Sequence, residues 1–271
     1  MLSILNSVSS LQAENALSNT TSALNKNLQQ LSTGLRINSG ADDAAGLSIA
    51  NGLQANIAAI SQSSQNASEG VGMLQTADGA LSQVTTLLNR AITLATEASN
   101  GGLSATQATA LNTEYASIQT EIDNIGTSTD FNGTAVFGSA GSVFESDGTT
   151  TSSISDAVAA LSSTGLGLTT KGTPLTTTAG AQAELALIDT AVSTVAADRG
   201  TIGATVNQLT ASQSVEGAAV TNLTSAVDSI QNADVGQVVA QMTQNSVLEQ
   251  TGMAALSQAN QIQQNVLKLV Q

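Results

Sequence analysis

Residues 53–95 read LQANIAAISQSSQNASEGVGMLQTADGALSQVTTLLNRAITLA. Steps of four and three from Leu53 land on Ile57, Ile60, Ser64, Ala67, Val71, Leu74, Asp78, Leu81, Thr85, Leu88, Ile92 and Ala95. Only Ser64, Asp78 and Thr85 break the apolar run. A period of about 3.5 residues held this long predicts the seam of one long helix packed against other helices. At 1.5 Å per residue, the span from Asp43 to Ser99 reaches roughly 85 Å, a rod rather than a compact globule.

Working outward, Asn100-Gly101-Gly102 supplies a helix stop. Ser104 to Gln107 has the spacing of a capping box, so a second helix is expected from there to Gly126, with Leu111, Ile118 and Ile122 inward. A matching seam runs from Ile188 through Val192, Val195, Arg199, Ile202, Val206, Leu209, Gln213, Glu216, Val220, Leu223 and Val227 to Ile230. Between the two seams the pattern changes. Asn132-Gly133 favours a tight hairpin turn. Residues 134–177 are rich in Gly, Ser and Thr and hold Pro174, the sole proline. Short strands and loops at one end of the rod are expected there. The fold class is therefore mainly α: an elongated antiparallel bundle of long helices with a small β-hairpin region at one end.

Composition narrows the chemistry. The chain has 271 residues with a net charge of −14, against which the phosphates of nucleic acid would be repelled. Aromatics are only 1% of the residues, so the core must be built from aliphatic side chains. There is no Cys and no His, which excludes thiolate nucleophiles, Cys/His zinc sites and Ser-His-Asp triads. Gly165-Leu-Gly167 lacks the last glycine of a dinucleotide loop. Asp42 and Asp43 are neighbours, which point in different directions, and suit a helix start better than a metal or acid/base pair. The expectation is a protein that is not an enzyme, with no catalytic residues, no cofactor and no metal site. No stretch approaches the roughly 18 apolar residues that indicate a membrane span. The first charge is Glu14 and the first basic residue Lys26, so no Sec-type signal peptide is expected.

The ends of the chain differ from the rod. Residues 1–35 carry only Glu14 and Lys26, and residues 236–271 only Glu249 and Lys268. Leu24, Leu28, Leu31 and Leu35 form one helical stripe. Leu248, Gly252, Ala255, Ala259, Ile262, Val266 and Leu269 form another, opposite uncharged amides such as Gln244, Asn245, Gln258 and Gln261. A helix so poor in charge makes an inferior solvated surface, and the basic face of a membrane-lying helix is missing. Both stripes are expected to be buried against copies of the same chain. Ordering a residue costs roughly 1–2 kcal/mol of backbone entropy, and neither arm has a core of its own. The arms are thus expected to fold fully only when subunits associate.

Several segments resemble bacterial flagellin: LSTGLRINSGADDAAGLSIA at 31–50, NASEGVGMLQTADGAL at 66–81, TDFNG at 129–133, DRGTIGA at 198–204, NADV at 232–235 and ANQIQQNVL at 259–267. The resemblance covers roughly residues 1–135 and 180–271. It departs at Asp228-Ser229, Asn232 and Gln263, where the family usually has Ser-Arg, Asp and Pro. The resemblance implies a two-layer subunit without large outer domains. Its inner tube would be a discontinuous terminal-helix domain, 1–43 with 231–271. Its outer tube would be the rod domain 44–230, including a hairpin and loop region at 129–178. The implied function is the structural subunit that polymerises into the flagellar filament for swimming motility. The implied partners are the chain itself, an export chaperone, and cap and hook-associated junction proteins, with export through the flagellar secretion channel. No nucleic acid and no membrane insertion are expected. In similar flagellins a vertebrate innate receptor reads the segment that corresponds here to Arg90, Leu94 and Glu114, although Ile92 and Glu97 depart from it. The alternative functions are a hook–filament junction protein and a secreted membrane-active translocator.

Overall fold

The computed structural model describes residues 8–139, 141–146, 150–168 and 174–270. Among them are the helices α1 (Val8–Thr33), α2 (Ala44–Ala98), α3 (Ala105–Ser128), α4 (Thr178–Gln231) and α5 (Val235–Val270). Four short strands, β1 (Asp130–Phe131), β2 (Thr134–Ala135), β3 (Ser142–Ser146) and β4 (Thr151–Ser155), form two antiparallel hairpins. A 3-10 turn covers Pro174–Thr176. The chain divides into two compact units, one of Met1–Ala55 with Asn222–Gln271 and one of Asn56–Thr221.

The second unit holds a continuous hydrophobic core whose buried members are aliphatic except for Tyr115 and Phe137. The helix stop and the capping box stand as the sequence predicts. Ser104 Oγ accepts from the Gln107 amide, and Gln107 Oε1 accepts from the Ser104 amide at 2.9 Å. Ile118 and Ile122 are buried, and Leu111 is half-buried against the core. On α4, Ile188, Val195, Ile202, Leu209 and Glu216 are buried at intervals of one heptad, with Val192, Arg199, Val206, Gln213 and Val220 half-buried beside them.

On α2 the seam is rotated from the expected one. Ile60, Ala67, Leu74, Leu81, Leu88 and Ala95 are buried as the period predicts. The alternate positions are Ser63, Gly70, Ala77, Val84, Ala91 and Ala98, not Ser64, Val71, Asp78, Thr85 and Ile92, which are half-buried. Apolar count favours the observed set, which offers Ala77, Val84, Ala91 and Ala98 against only Val71 and Ile92, and close packing favours its smaller side chains too. Small side chains let neighbouring backbones approach, while Val71 and Ile92 still cover the flank of the core.

Two glycines of α2 show this most directly. A Cβ on Gly70 would overlap the Val143 side chain of β3, and one on Gly72 would lie 3.2 Å from the Phe131 ring. The missing side chains let both hairpins lie on the helix. The first hairpin turns at Asn132 (φ 51°) and Gly133 (φ 77°), the left-handed pair that a two-residue turn requires. The second hairpin pairs Ser142–Ser146 with Thr151–Ser155. Residues 140, 147–149 and 169–173 of this region lie outside the described residues.

In the first unit α1 packs on α5. The inward positions of α5 are Val238, Met242, Asn245, Glu249, Gly252, Leu256 and Ala259, spaced at alternating steps of four and three. Gly252 lies against Leu17.

Candidate assembly interface

The joint between the helices of the first unit is built by the LSTGLRINSGADDAAG and NADV segments. Gly34 ends α1 at φ 73°, a conformation that a residue with a Cβ adopts at a cost. The chain then crosses the end of α4. Leu35 bridges to Asn232, the Arg36 amide donates to the Gln231 carbonyl at 2.6 Å, and the Ala233 amide donates to the Gly34 carbonyl at 2.9 Å. Arg36 Nη2 donates to the Ile230 carbonyl at 2.7 Å. A cation at a helix C-terminus meets carbonyls without intrahelical partners and the negative end of the dipole. Arg36 thus meets a helix end rather than a carboxylate.

The two neighbouring aspartates have separate tasks. Asp43 caps α2, its Oδ1 accepting from the Gly46 amide at 2.8 Å. Gly46 has no room for a side chain, because a Cβ would crowd Asp43 Oδ2 and Ile37 Cδ1. Asp42 organises the preceding loop. Its Oδ2 accepts from the Ser39 amide and hydroxyl, both at 3.1 Å, and its Oδ1 pairs with Lys26 Nζ at 2.8 Å. The Lys26 and Ser39 hydrogen bonds lower its pKa to about 2. Asp234 caps α5 through the Gln237 amide at 3.1 Å.

With the joint fixed, α1 and α5 still leave apolar surface uncovered. Val8, Leu11 and Leu28 are exposed on α1, as are Val235, Val239, Val247, Leu248, Met253 and Ile262 on α5. Leu28 is 47% and Ile262 55% exposed. Of the residues the sequence singled out, Leu24, Leu31 and Leu35 are half-buried, as is Ala259. Leu248 and Ala255 are exposed. The predicted α5 stripe thus lies mostly outside the seam that α5 shares with α1. Asn245, expected on the polar face, is half-buried on that seam. Val266 and Leu269 belong to α5, but their side chains lie outside the described residues.

Polar groups join the helices of the second unit. Arg199 on α4 grips Asp78 on α2 through Nε–Oδ1 at 2.7 Å and Nη2–Oδ2 at 3.3 Å, which lowers the Asp78 pKa. Arg90 on α2 pairs with Glu114 on α3 at 2.7 Å. Leu94, which sequence matching grouped with them, is fully buried, so it adds nothing to their exposed surface. Tyr115 donates to Glu184 between α3 and α4, both deeply buried. Burial first, and then this hydrogen bond to a carboxylate, raise the Tyr115 pKa well above the usual range. Sequence reading missed this pair, because a tyrosine and a glutamate on separate helices share no spacing signal. Among the described residues, no group of three or more His, Cys, Asp or Glu is placed to hold a metal ion.

The chain matches two family models, the bacterial flagellin N-terminal helical region over residues 4–141 and the bacterial flagellin C-terminal helical region over residues 185–270. It is 30% identical to a flagellin of Bacillus subtilis (strain 168), over 98% of this chain and 99% of that protein. It is 42% identical to the B-type flagellin of Pseudomonas aeruginosa over 38% of this chain, a match spanning only 21% of that longer protein. A crystal structure of Bacillus cereus flagellin aligns with a TM-score of 0.47 at 28% identity, covering 56% of this chain and 88% of that one.

Proposed function

The chain belongs to the bacterial flagellin family, and from that premise we propose how it works as a structural subunit of the flagellar filament, with α1 and α5 as its assembly surface. The observation that carries this reading is the row of exposed apolar side chains on both helices, Leu28 and Ile262 among them. Burying such surface against neighbouring subunits releases roughly 25 cal/mol per Å². That gain offsets the entropy of ordering two helices whose mutual seam is narrow and partly polar. Folding of the arms and addition of a subunit are then one coupled event. Leu24, Leu31, Leu35, Leu248, Ala255, Ala259, Val266 and Leu269 complete the proposed surface.

No described helix is long and apolar enough to cross a membrane. The filament is extracellular, and the proposed route to it is the flagellar secretion channel. An export chaperone, a filament cap and hook-associated junction proteins are the proposed partners besides the chain itself. All of them would meet the same low-charge arms.

The test is a pair of charge substitutions, Leu28→Asp with Ile262→Asp. The variant should keep the circular dichroism of the wild-type monomer and fail to extend seeded filaments. Filaments of normal length from the double variant would remove these faces from the interface.

A further inference from the structure

We propose that Glu145 and Glu216 form a binding site for one hard divalent cation, which clamps the second hairpin to the long helices of the second unit. The site goes beyond the assembly role and does not depend on it. It is built where β3 lies on α2 and α4. Glu145 points inward from β3, and its Oε2 accepts from Ser212 Oγ on α4 at 2.9 Å. Glu216 lies one turn beyond Ser212 on the same helix, hence on the same face. Its Oε1 accepts from Ser63 Oγ on α2. Ser63 Oγ in turn accepts from the Ser146 amide at 3.0 Å, next to Glu145 in the chain. Hydrogen bonds and chain neighbours thus close a ring around the two carboxylates.

Both glutamates are only 8% exposed. Each keeps one buried oxygen, Glu145 Oε1 and Glu216 Oε2, with no hydrogen-bond partner. These atoms are the independent sign of a ligand. The ion pairs among the described residues are Lys26–Asp42, Arg90–Glu114 and Arg199–Asp78, so no basic side chain neutralises either glutamate there. Carboxylates withdrawn from water are costly unless a positive charge compensates them. A single divalent ion would balance both charges through the two free oxygens and leave every existing hydrogen bond intact.

The donor set selects the ion. Carboxylate and hydroxyl oxygens are hard ligands that suit Ca²⁺ or Mg²⁺, not softer metals. No third acidic, imidazole or thiol ligand joins them among the described residues. The remaining coordination falls to hydroxyl, carbonyl and water oxygens, an irregular set that Ca²⁺ tolerates better than Mg²⁺. Two protein carboxylates place the affinity in the weak class of extracellular modules, a Kd of about 10⁻⁴–10⁻³ M. The sequence hides the site, because its two carboxylates stand 71 residues apart in the chain.

The experiment uses the full-length monomer in metal-depleted buffer. Titration calorimetry with CaCl₂ and MgCl₂ is paired with thermal unfolding in millimolar CaCl₂ and in NaCl of equal ionic strength. Expected results are saturable uptake of one Ca²⁺ per chain, weaker Mg²⁺ uptake and a Tm raised by Ca²⁺ alone. Glu145→Gln and Glu216→Gln, which keep the side-chain shape, should each weaken uptake by roughly tenfold or more, as fewer ligand charges imply. Glu69→Gln, outside the ring, should leave it unchanged. No saturable uptake, or equal uptake by the Gln variants, overturns the proposal. So does a rise in stability in the Gln variants without any response to Ca²⁺ in the wild type.

Discussion

Two aspartates adjacent in the chain illustrate how the residue scale works here. Asp42 holds a loop and Asp43 caps a helix, so only the first is tied to a lysine. The Asp42 pKa falls from 3.8 to about 2 in the folded chain. A depressed carboxylate pKa contributes stability above the unfolded value, and that contribution is lost as pH falls through the folded one. The joint should therefore loosen between about pH 4 and pH 2, read as faster exchange of the Asn38 and Ser39 amides. Asp42→Ala should show that fast exchange already at neutral pH. Glycines make a second contrast. Gly126 is buried, and a Cβ there would overlap the Leu161 carbonyl. Gly126→Ala gains about 1 kcal/mol in helix propensity but loses more to the clash, so the monomer should be destabilised by about 1–2 kcal/mol. Gly79 has open space around its Cα. Gly79→Ala should raise stability by about 1 kcal/mol, both variants being read by denaturant titration.

Elements were legible to different degrees. The capping box at Ser104 and the Asn132-Gly133 turn are local chemistry, and both stand as read. Ser104→Ala should cost about 1 kcal/mol, with the loss confined to fraying of α3 in amide exchange. The period of α2 was legible, but its phase was not. Val71 and Gly70, or Ile92 and Ala91, are one residue apart, and at these pairs hydropathy prefers the larger member. The structure buries the smaller one, because hairpins and helices must fit against it. On α4 the heptad positions Ile188, Val195, Ile202 and Leu209 are buried as expected, whereas Val192, Arg199 and Val206 are half-buried and Ala191 is buried beside Val192.

At the scale of the whole molecule, the terminal arms decide behaviour. Their exposed apolar residues find no cover within the first unit. Removal of residues 265–271 should leave a soluble monomer that does not polymerise, checked by sedimentation and electron microscopy of seeded samples. The second unit should keep its thermal transition in that truncation, because its core is built from residues 67–209. The predicted α5 stripe mixed two faces. Gly252 and Ala259 point to α1, whereas Leu248, Ala255 and Ile262 point away. Sequence periodicity locates an apolar face but does not say which partner covers it.

What the sequence determined by itself was the long-helix class, the helix stops, the hairpin turn and the low-charge arms. Each rests on periodicity, capping or composition, interactions that span a few residues or the whole chain without regard to contacts. Packing in three dimensions set the phase of α2, the Arg36 contact with the end of α4, the Tyr115–Glu184 pair and the ring around Glu145 and Glu216. These depend on which side chains meet after the chain has folded back, and distance along the sequence carries no record of that meeting.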